Sequence, residues 1–193
     1  MKRNIELKAR CPDLAAARSM AKNIGATPPG AERQRDTYFR TPQGRLKLRC
    51  RQPDGAAACA ELIWYRRSNE PNARGSDYLL TLVEDADQLR AMLAAALSVR
   101  AEVVKHRTIY LHDNVRIHLD EVLDLGTFIE FEAIVNMDCD DAAARAKLDR
   151  LIPVFGIEPK QVIGESYVDL LANAERGHER ERLRIGADPQ TPP

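Results

Sequence analysis

Carboxylates and cations recur at every second position through residues 115–133, VRIHLDEVLDLGTFIEFEA. Read as two strands around a turn at Asp124-Leu125-Gly126, the first run puts Arg116, His118 and Asp120 on one face and Val115, Ile117 and Leu119 on the other. The second puts Glu130 and Glu132 together, with Ile129 and Phe131 opposite. The same sorting marks residues 3–10, where Asn4, Glu6, Lys8 and Arg10 alternate with Ile5, Leu7 and Ala9. It is strongest in RLKLRCR, where Arg45, Lys47, Arg49 and Arg51 share a face. Glu61, Ile63, Tyr65 and Arg67 share one side of AELIWYRR, and Lys105 and Arg107 stand two apart in VVKHRTIYLHD.

Clustered carboxylates, taken without Cys or His ligands, suit a hard divalent cation such as Mg²⁺ or Mn²⁺, which prefers oxygen donors and shares them with substrate phosphates. Lysines and arginines beside them suit an oligophosphate. Together they could support phosphoryl or nucleotidyl transfer, in which a protein supplies positioning and charge stabilisation and does little covalent work. Four like charges in a row on one strand repel unless they are splayed into water or neutralised. If they face inward without counter-charges, removing Lys47 and Arg49 should leave the ligand-free protein as stable as before, or more so.

The chain that positions these groups has 193 residues, enough for one domain with a real core. Lys plus Arg equals Asp plus Glu at 29 each, so global charge points to no nucleic-acid partner and electrostatic function must come from local sorting. The four cysteines, Cys11, Cys50, Cys59 and Cys139, form no CxxC pair and read as reduced thiols. MKRNIELKAR has no apolar core of a signal peptide, and no run approaches the ~18 apolar residues of a membrane span. A soluble, cytoplasmic protein is expected.

Local signals divide the chain into about eight strands and three longer helices. Pro12 and Asp13 open a helix with Leu14, Ala17, Met20, Ala21 and Ile24 at helical spacing, stopped by Gly25. Residues 26–34, with Pro28, Pro29 and Gly30, read as a loop before the strand QRDTYF, and SNEPNARGSD reads as a polar loop before the strand SDYLLTLVE. Asp87 precedes a second helix to about Leu97. Asp113-Asn114 makes a tight turn. Asp140 or Asp141 caps a third helix with Ala144, Leu148, Leu151, Ile152 and Phe155 inward, and a short helix covers about Glu165–Leu171. Residues 173–193 have too little apolar content to pack and read as a charged tail, leaving a domain over residues 1–172.

An ionic face on at least six strands is poorly explained by a sheet with one wet side. An α+β fold explains it better: a closed eight-stranded antiparallel β-barrel, ionic faces inward, with helices packed on its outside. About eight strands enclose a space wide enough for side chains or one small ligand.

At these residues the sequence resembles the CYTH family, the triphosphate tunnel metalloenzymes, which includes class IV adenylate cyclases and thiamine triphosphatases. The likeness spans about residues 2–172 and rests on NIELK, RDTYF, GRLKLR, ELIWYRR, KHR, RIHLDEVLDLGTFIEFE and SYVDLL. It implies a tunnel that binds Mg²⁺ or Mn²⁺ and a small-molecule triphosphate (ATP, thiamine triphosphate or tripolyphosphate). A homodimer is a compatible assembly. Carried over, Glu6, Glu130 and Glu132, with Asp120 nearby, match metal ligands. Lys8, Arg45, Lys47, Arg49, Arg67, Lys105, Arg107 and Arg116 match phosphate binders, with Lys8, Lys47, Arg49 and Arg107 in catalytic roles. Two departures stand out. Asn4 occupies the first Glu position of the family's ExExK signature, and Ile63 stands where some members carry Lys, with Arg67 on the same face. The implied reaction is ATP cyclisation to cyclic AMP and pyrophosphate. The alternatives are hydrolysis of thiamine triphosphate or tripolyphosphate, and a non-catalytic phosphate- or nucleotide-binding module.

Overall fold

The computed structural model describes residues 1–27, 30–174 and 176. Pro28 and Pro29 of the expected loop lie outside these residues, as does the expected tail apart from Asn173, Ala174 and Arg176. Eight strands, β1 (Lys2–Arg10), β2 (Gly30–Phe39), β3 (Arg45–Pro53), β4 (Cys59–Arg67), β5 (Arg74–Val83), β6 (Val99–His112), β7 (Val115–Val122) and β8 (Gly126–Ile134), close into a barrel in the order β1-β5-β4-β3-β2-β6-β7-β8. Every interface is antiparallel.

Three helices cover the outside: α1 (Leu14–Asn23), α2 (Ala86–Leu97) and α3 (Asp141–Val154). Each opens on an aspartate that accepts from a backbone N–H three residues on: Asp13 from Ala16, Asp85 from Gln88 and Asp140 from Ala143. Outward residues of β1, β7 and β8, among them Ile5, Leu7, Ile117, Leu119, Ile129 and Phe131, are fully buried under Ala17 and Ala21 of α1 and Ala144, Leu148 and Leu151 of α3. Each such side chain contributes about 1.5–3 kcal/mol. Across the barrel, Phe39, Leu48 and Ala60 lie under Leu89, Leu93 and Leu97 of α2. Residues 167–174 are helical, and Tyr167 and Val168 pack on Val103, Val122 and Phe128. Among the described residues no helix is long and apolar enough to cross a membrane.

Three boundaries differ from expectation. β2 begins at Gly30 and not at Gln34, because the 14-residue β6 offers it partners from Ile109 to Val99. β5 begins at Arg74, inside the expected loop, because Arg74 and Gly75 pair with Glu6 and Ile5 of β1. The cap of α2 is Asp85, and Asp87 sits in its first turn. Asp113 and Asp124 hold the turns around β7 with φ of 51° and 64°, left-handed values that aspartate tolerates better than most residues.

Candidate active site

Closing the barrel turns the ionic faces onto a single cavity of about 550 Å³. Glu6, Lys8, Lys47, Arg49, Arg67, Lys105, Arg107, Arg116, Glu130 and Glu132 all line it. Among the described residues nine lysines and arginines border this space against five glutamates, with Asp36 and Asp120 buried close behind the wall.

Strand register sets the carboxylate end. Glu130 stands opposite Lys8 of β1 and His118 of β7, and Glu132 stands opposite Glu6 and Arg116. Lys8 reaches Glu130 at 3.1 Å, Arg116 reaches Glu132 at 3.3 Å, and Glu6 is held by Arg67 at 3.0 Å and Arg74 at 3.5 Å. Burial pushes the Glu130 carboxyl up, but Lys8 and Arg107 outweigh it and hold the group well below the usual carboxylate range. Glu132 is likewise lowered: His118, Arg107 and Arg116 overcome its burial. Both are therefore anions at neutral pH.

The cationic wall is neutralised by buried aspartates on the same inward faces. Asp36 of β2 accepts from Lys47 at 2.9 Å and from Arg49 Nε and Nη2 at 2.7 and 2.8 Å, with Lys105 at 3.7 Å. Arg107 donates to both oxygens of Asp120 and to Glu130. Burial, with Arg49 adding to it, pushes Lys47 down to about 8, and burial together with Arg107 takes Lys105 to about 7. Both amines can thus exchange a proton near neutrality. Lys8 is also lowered, chiefly by burial, and its ammonium stacks 3.7 Å from the centre of the Tyr167 ring.

Two of the sequence-derived residues lie off the cavity surface. Arg45 sits by one mouth, donating to Asp169 and Asn69 at 2.8 Å each. Asp120 is completely buried, its oxygens taken by Arg107 and by the Tyr167 hydroxyl at 2.8 Å. The same mouth is packed by loop 68–73 and residues 163–167. Arg67 donates to Gly164 O at 2.7 Å and Arg74 to Ile163 O at 3.2 Å, and any side chain at Gly164 would overlap the Asn69 carbonyl.

Sequence reasoning missed Glu32, Gln34 and Asp36, which face inward while Arg33 and Arg35 face solvent. Their period-two signal was present, but half of it fell in the segment read as a loop. Glu32 accepts from Arg51 at 2.7 Å, and Arg51 also reaches Glu61 at 3.3 Å. Tyr167, Ser166 and Asp169 were missed as well, since nothing local shows that a C-terminal helix meets a strand face. His118 was placed on the right face but given no role.

The residues present fit a divalent cation. Ligand atoms of His118, Glu130 and Glu132 all lie within 4.8 Å of one another, and His118 Nδ1 is buried with no hydrogen-bond partner. Mg²⁺ or Mn²⁺ could be held there by the two glutamates, with Glu6 across the β1–β8 pair from Glu132.

Comparison with solved structures supports the same architecture. A Pyrococcus horikoshii protein is 22% identical with a TM-score of 0.75, over 86% of this chain and 98% of that one. A Vibrio parahaemolyticus protein named as a candidate adenylate cyclase is 23% identical with a TM-score of 0.67, over 88% and 97%. A Hippeastrum protein, named as a candidate adenylyl cyclase with a dominant triphosphatase activity, is 15% identical with a TM-score of 0.57, over 90% and 96%. No curated protein matches the chain. The model of the CYTH domain matches residues 2–167, all eight strands of the barrel, and the chain therefore belongs to the CYTH domain family.

Proposed function

We propose that this protein is a divalent-cation-dependent enzyme that holds the triphosphate of a nucleotide inside the barrel, and that its reaction is cyclisation of ATP to cyclic AMP and pyrophosphate. One observation carries the reading: a single enclosed space sorts three glutamates to the β1, β7 and β8 wall and a surplus of lysines and arginines around the rest. Such a cavity is stable around a polyanion and costly around anything neutral. Lys47, Arg49, Lys105 and Arg107 would hold the phosphates, each already aimed by a buried aspartate and so needing little reorganisation.

A bound Mg²⁺ or Mn²⁺ would polarise a phosphoryl oxygen and offset charge on the leaving pyrophosphate. In cyclisation the ribose 3′-oxygen attacks the α-phosphorus, the bond to pyrophosphate breaks, and the hydroxyl proton leaves to a base. A nucleoside is favoured because Ile63, Tyr65, Tyr78 and Leu80 of β4 and β5 make an apolar stretch of the same wall.

Hydrolysis of thiamine triphosphate or inorganic tripolyphosphate is the second reading, with water as nucleophile. Lys2, Arg51 and Arg116 favour it, since they extend the cationic lining and could grip an oligophosphate with no nucleoside attached. The test is incubation with Mg²⁺ or Mn²⁺ and a panel of triphosphates, followed by product identification. Cyclic AMP with pyrophosphate is expected. Orthophosphate from tripolyphosphate would move the assignment to the second reading, and binding without any product would leave a phosphate-binding module.

A further inference from the structure

His118 is 3% exposed and sits directly opposite Glu130 in the β7–β8 register. Its Nδ1 lies 3.8 Å from Glu130 Oε2 and 3.9 Å from Glu132 Oε1, beyond hydrogen-bond reach of either, and it has no other partner. A buried ring nitrogen is normally satisfied, and two carboxylates facing one nitrogen across a gap leave room for something between them. Two donors bonded to one ion at about 2.1 Å can stand no more than about 4.2 Å apart, and both separations fall inside that limit, so a small side-chain adjustment would bring either pair onto a common ion.

The cations around the site leave this corner open. Lys8 takes Glu130 Oε1, Arg107 takes one lone pair of Oε2, and Arg116 takes Glu132 Oε2. Glu132 Oε1 and His118 Nδ1 are not hydrogen-bonded by any of them. Asp120, which shares the β7 face, is not available, because Arg107 and Tyr167 fill its oxygens.

We infer that His118 is a protein ligand of the divalent ion, completing a Glu130–Glu132–His118 set whose nitrogen donor makes the site prefer Mn²⁺ or another transition metal to Mg²⁺. Imidazole binds transition metals well and Mg²⁺ poorly, whereas carboxylates serve both. The inference rests on the reading of Glu130 and Glu132 as a metal site. It goes beyond that reading in naming a nitrogen ligand and the selectivity it brings.

The test is Mn²⁺ titrated into the metal-free protein, read by electron paramagnetic resonance and electron spin echo modulation for coupling to a ¹⁴N nucleus. Wild type should show one coupled imidazole nitrogen. His118→Asn and His118→Gln should lose the coupling and weaken Mn²⁺ binding about tenfold or more, with a smaller effect on Mg²⁺ measured by calorimetry. Because the wild-type spectrum alone reads the ligand, the result does not depend on either variant folding. Bound Mn²⁺ without nitrogen coupling, or coupling that survives in a folded variant, overturns the His118 assignment and leaves the carboxylate site standing. No Mn²⁺ binding at all overturns both.

Discussion

Arg107 donates through Nε and Nη2 to the two oxygens of Asp120, at 2.7 and 2.6 Å, in a pair with almost no exposure to solvent. Asp120 then aims the guanidinium into the cavity and does not face the cavity itself. Asp120→Ala would leave the buried Arg107 with Glu130 as its remaining carboxylate among the described residues, so it should cost about 3 kcal/mol, the low end for breaking a buried pair, in denaturant unfolding. Mn²⁺ affinity of the folded protein should hardly change. Lost metal binding at an unaltered unfolding midpoint would instead place Asp120 among the ligands.

Glu132 behaves differently because Glu6 stands directly opposite it, and like charges facing each other on neighbouring strands are unfavourable. Glu132→Gln relieves that repulsion but also gives up the charge that Arg107 and Arg116 favour, so the two effects offset while the shape is kept. Circular dichroism and thermal unfolding should be close to wild type, and metal-dependent turnover should be abolished. Full activity in this variant would remove Glu132 from the metal site.

Asn4 lines the cavity two residues from Glu6, and its buried Oδ1 has no hydrogen-bond partner. Asn4→Glu should tighten Mg²⁺ or Mn²⁺ binding, since a further anionic oxygen strengthens a hard-cation site. Calorimetry showing unchanged or weaker binding would mean that the added carboxylate does not reach the ion.

Tripolyphosphate should raise the melting temperature even without metal, because a ligand that binds only the folded state adds about 2.7 kcal/mol at one hundred times its dissociation constant. In Lys47→Ala/Arg49→Ala that shift should largely vanish. The structure reverses the expectation for the ligand-free variant. Asp36 is buried, and the double substitution strips it of every partner but Lys105 at 3.7 Å. Apo stability should therefore fall by about 3–5 kcal/mol and recover when Asp36→Asn is added. Equal tripolyphosphate shifts in wild type and variant would point to binding outside the barrel.

Lys105 at about 7 and Lys47 at about 8 lie below the ordinary lysine value of 10.5, burial being the largest cause for each. The unfolded chain then holds more protons than the folded one between these values and 10.5, so these two groups make apo stability rise with pH across that window. Bound phosphates favour the charged forms again. Tripolyphosphate binding should take up protons at about pH 8.5 and weaken as pH rises, measurable by calorimetry in buffers of different ionisation enthalpy. Lys105→Met should reduce the uptake, and no uptake in wild type would show that neither amine is neutral in the free protein.

Alternation was legible from residues alone because it is a local consequence of the pleat: Glu6 and Lys8, Lys47 and Arg49, Lys105 and Arg107, Glu130 and Glu132 each had to share a face wherever the strands went. From the number of such faces the inward-facing barrel followed, along with the capping aspartates Asp13 and Asp140. Partnership was not legible, since it depends on the register between strands, which alternation within one strand does not fix. The register of the β2–β3 hairpin sets Asp36 opposite Arg49, and β6 pairing on the other side of β2 brings Lys105 to it, so that the row of like charges in β3 is paired and not strained. Asp120 and His118 share the β7 face and are equivalent by periodicity, yet packing gave Asp120 to Arg107 and Tyr167 and left the His118 nitrogen open toward two glutamates. That division has a physical reason: a side chain's direction is set within a few residues, whereas its counter-charge, its burial and hence its ionisation come from the register of the neighbouring strands and from the segments packed against them.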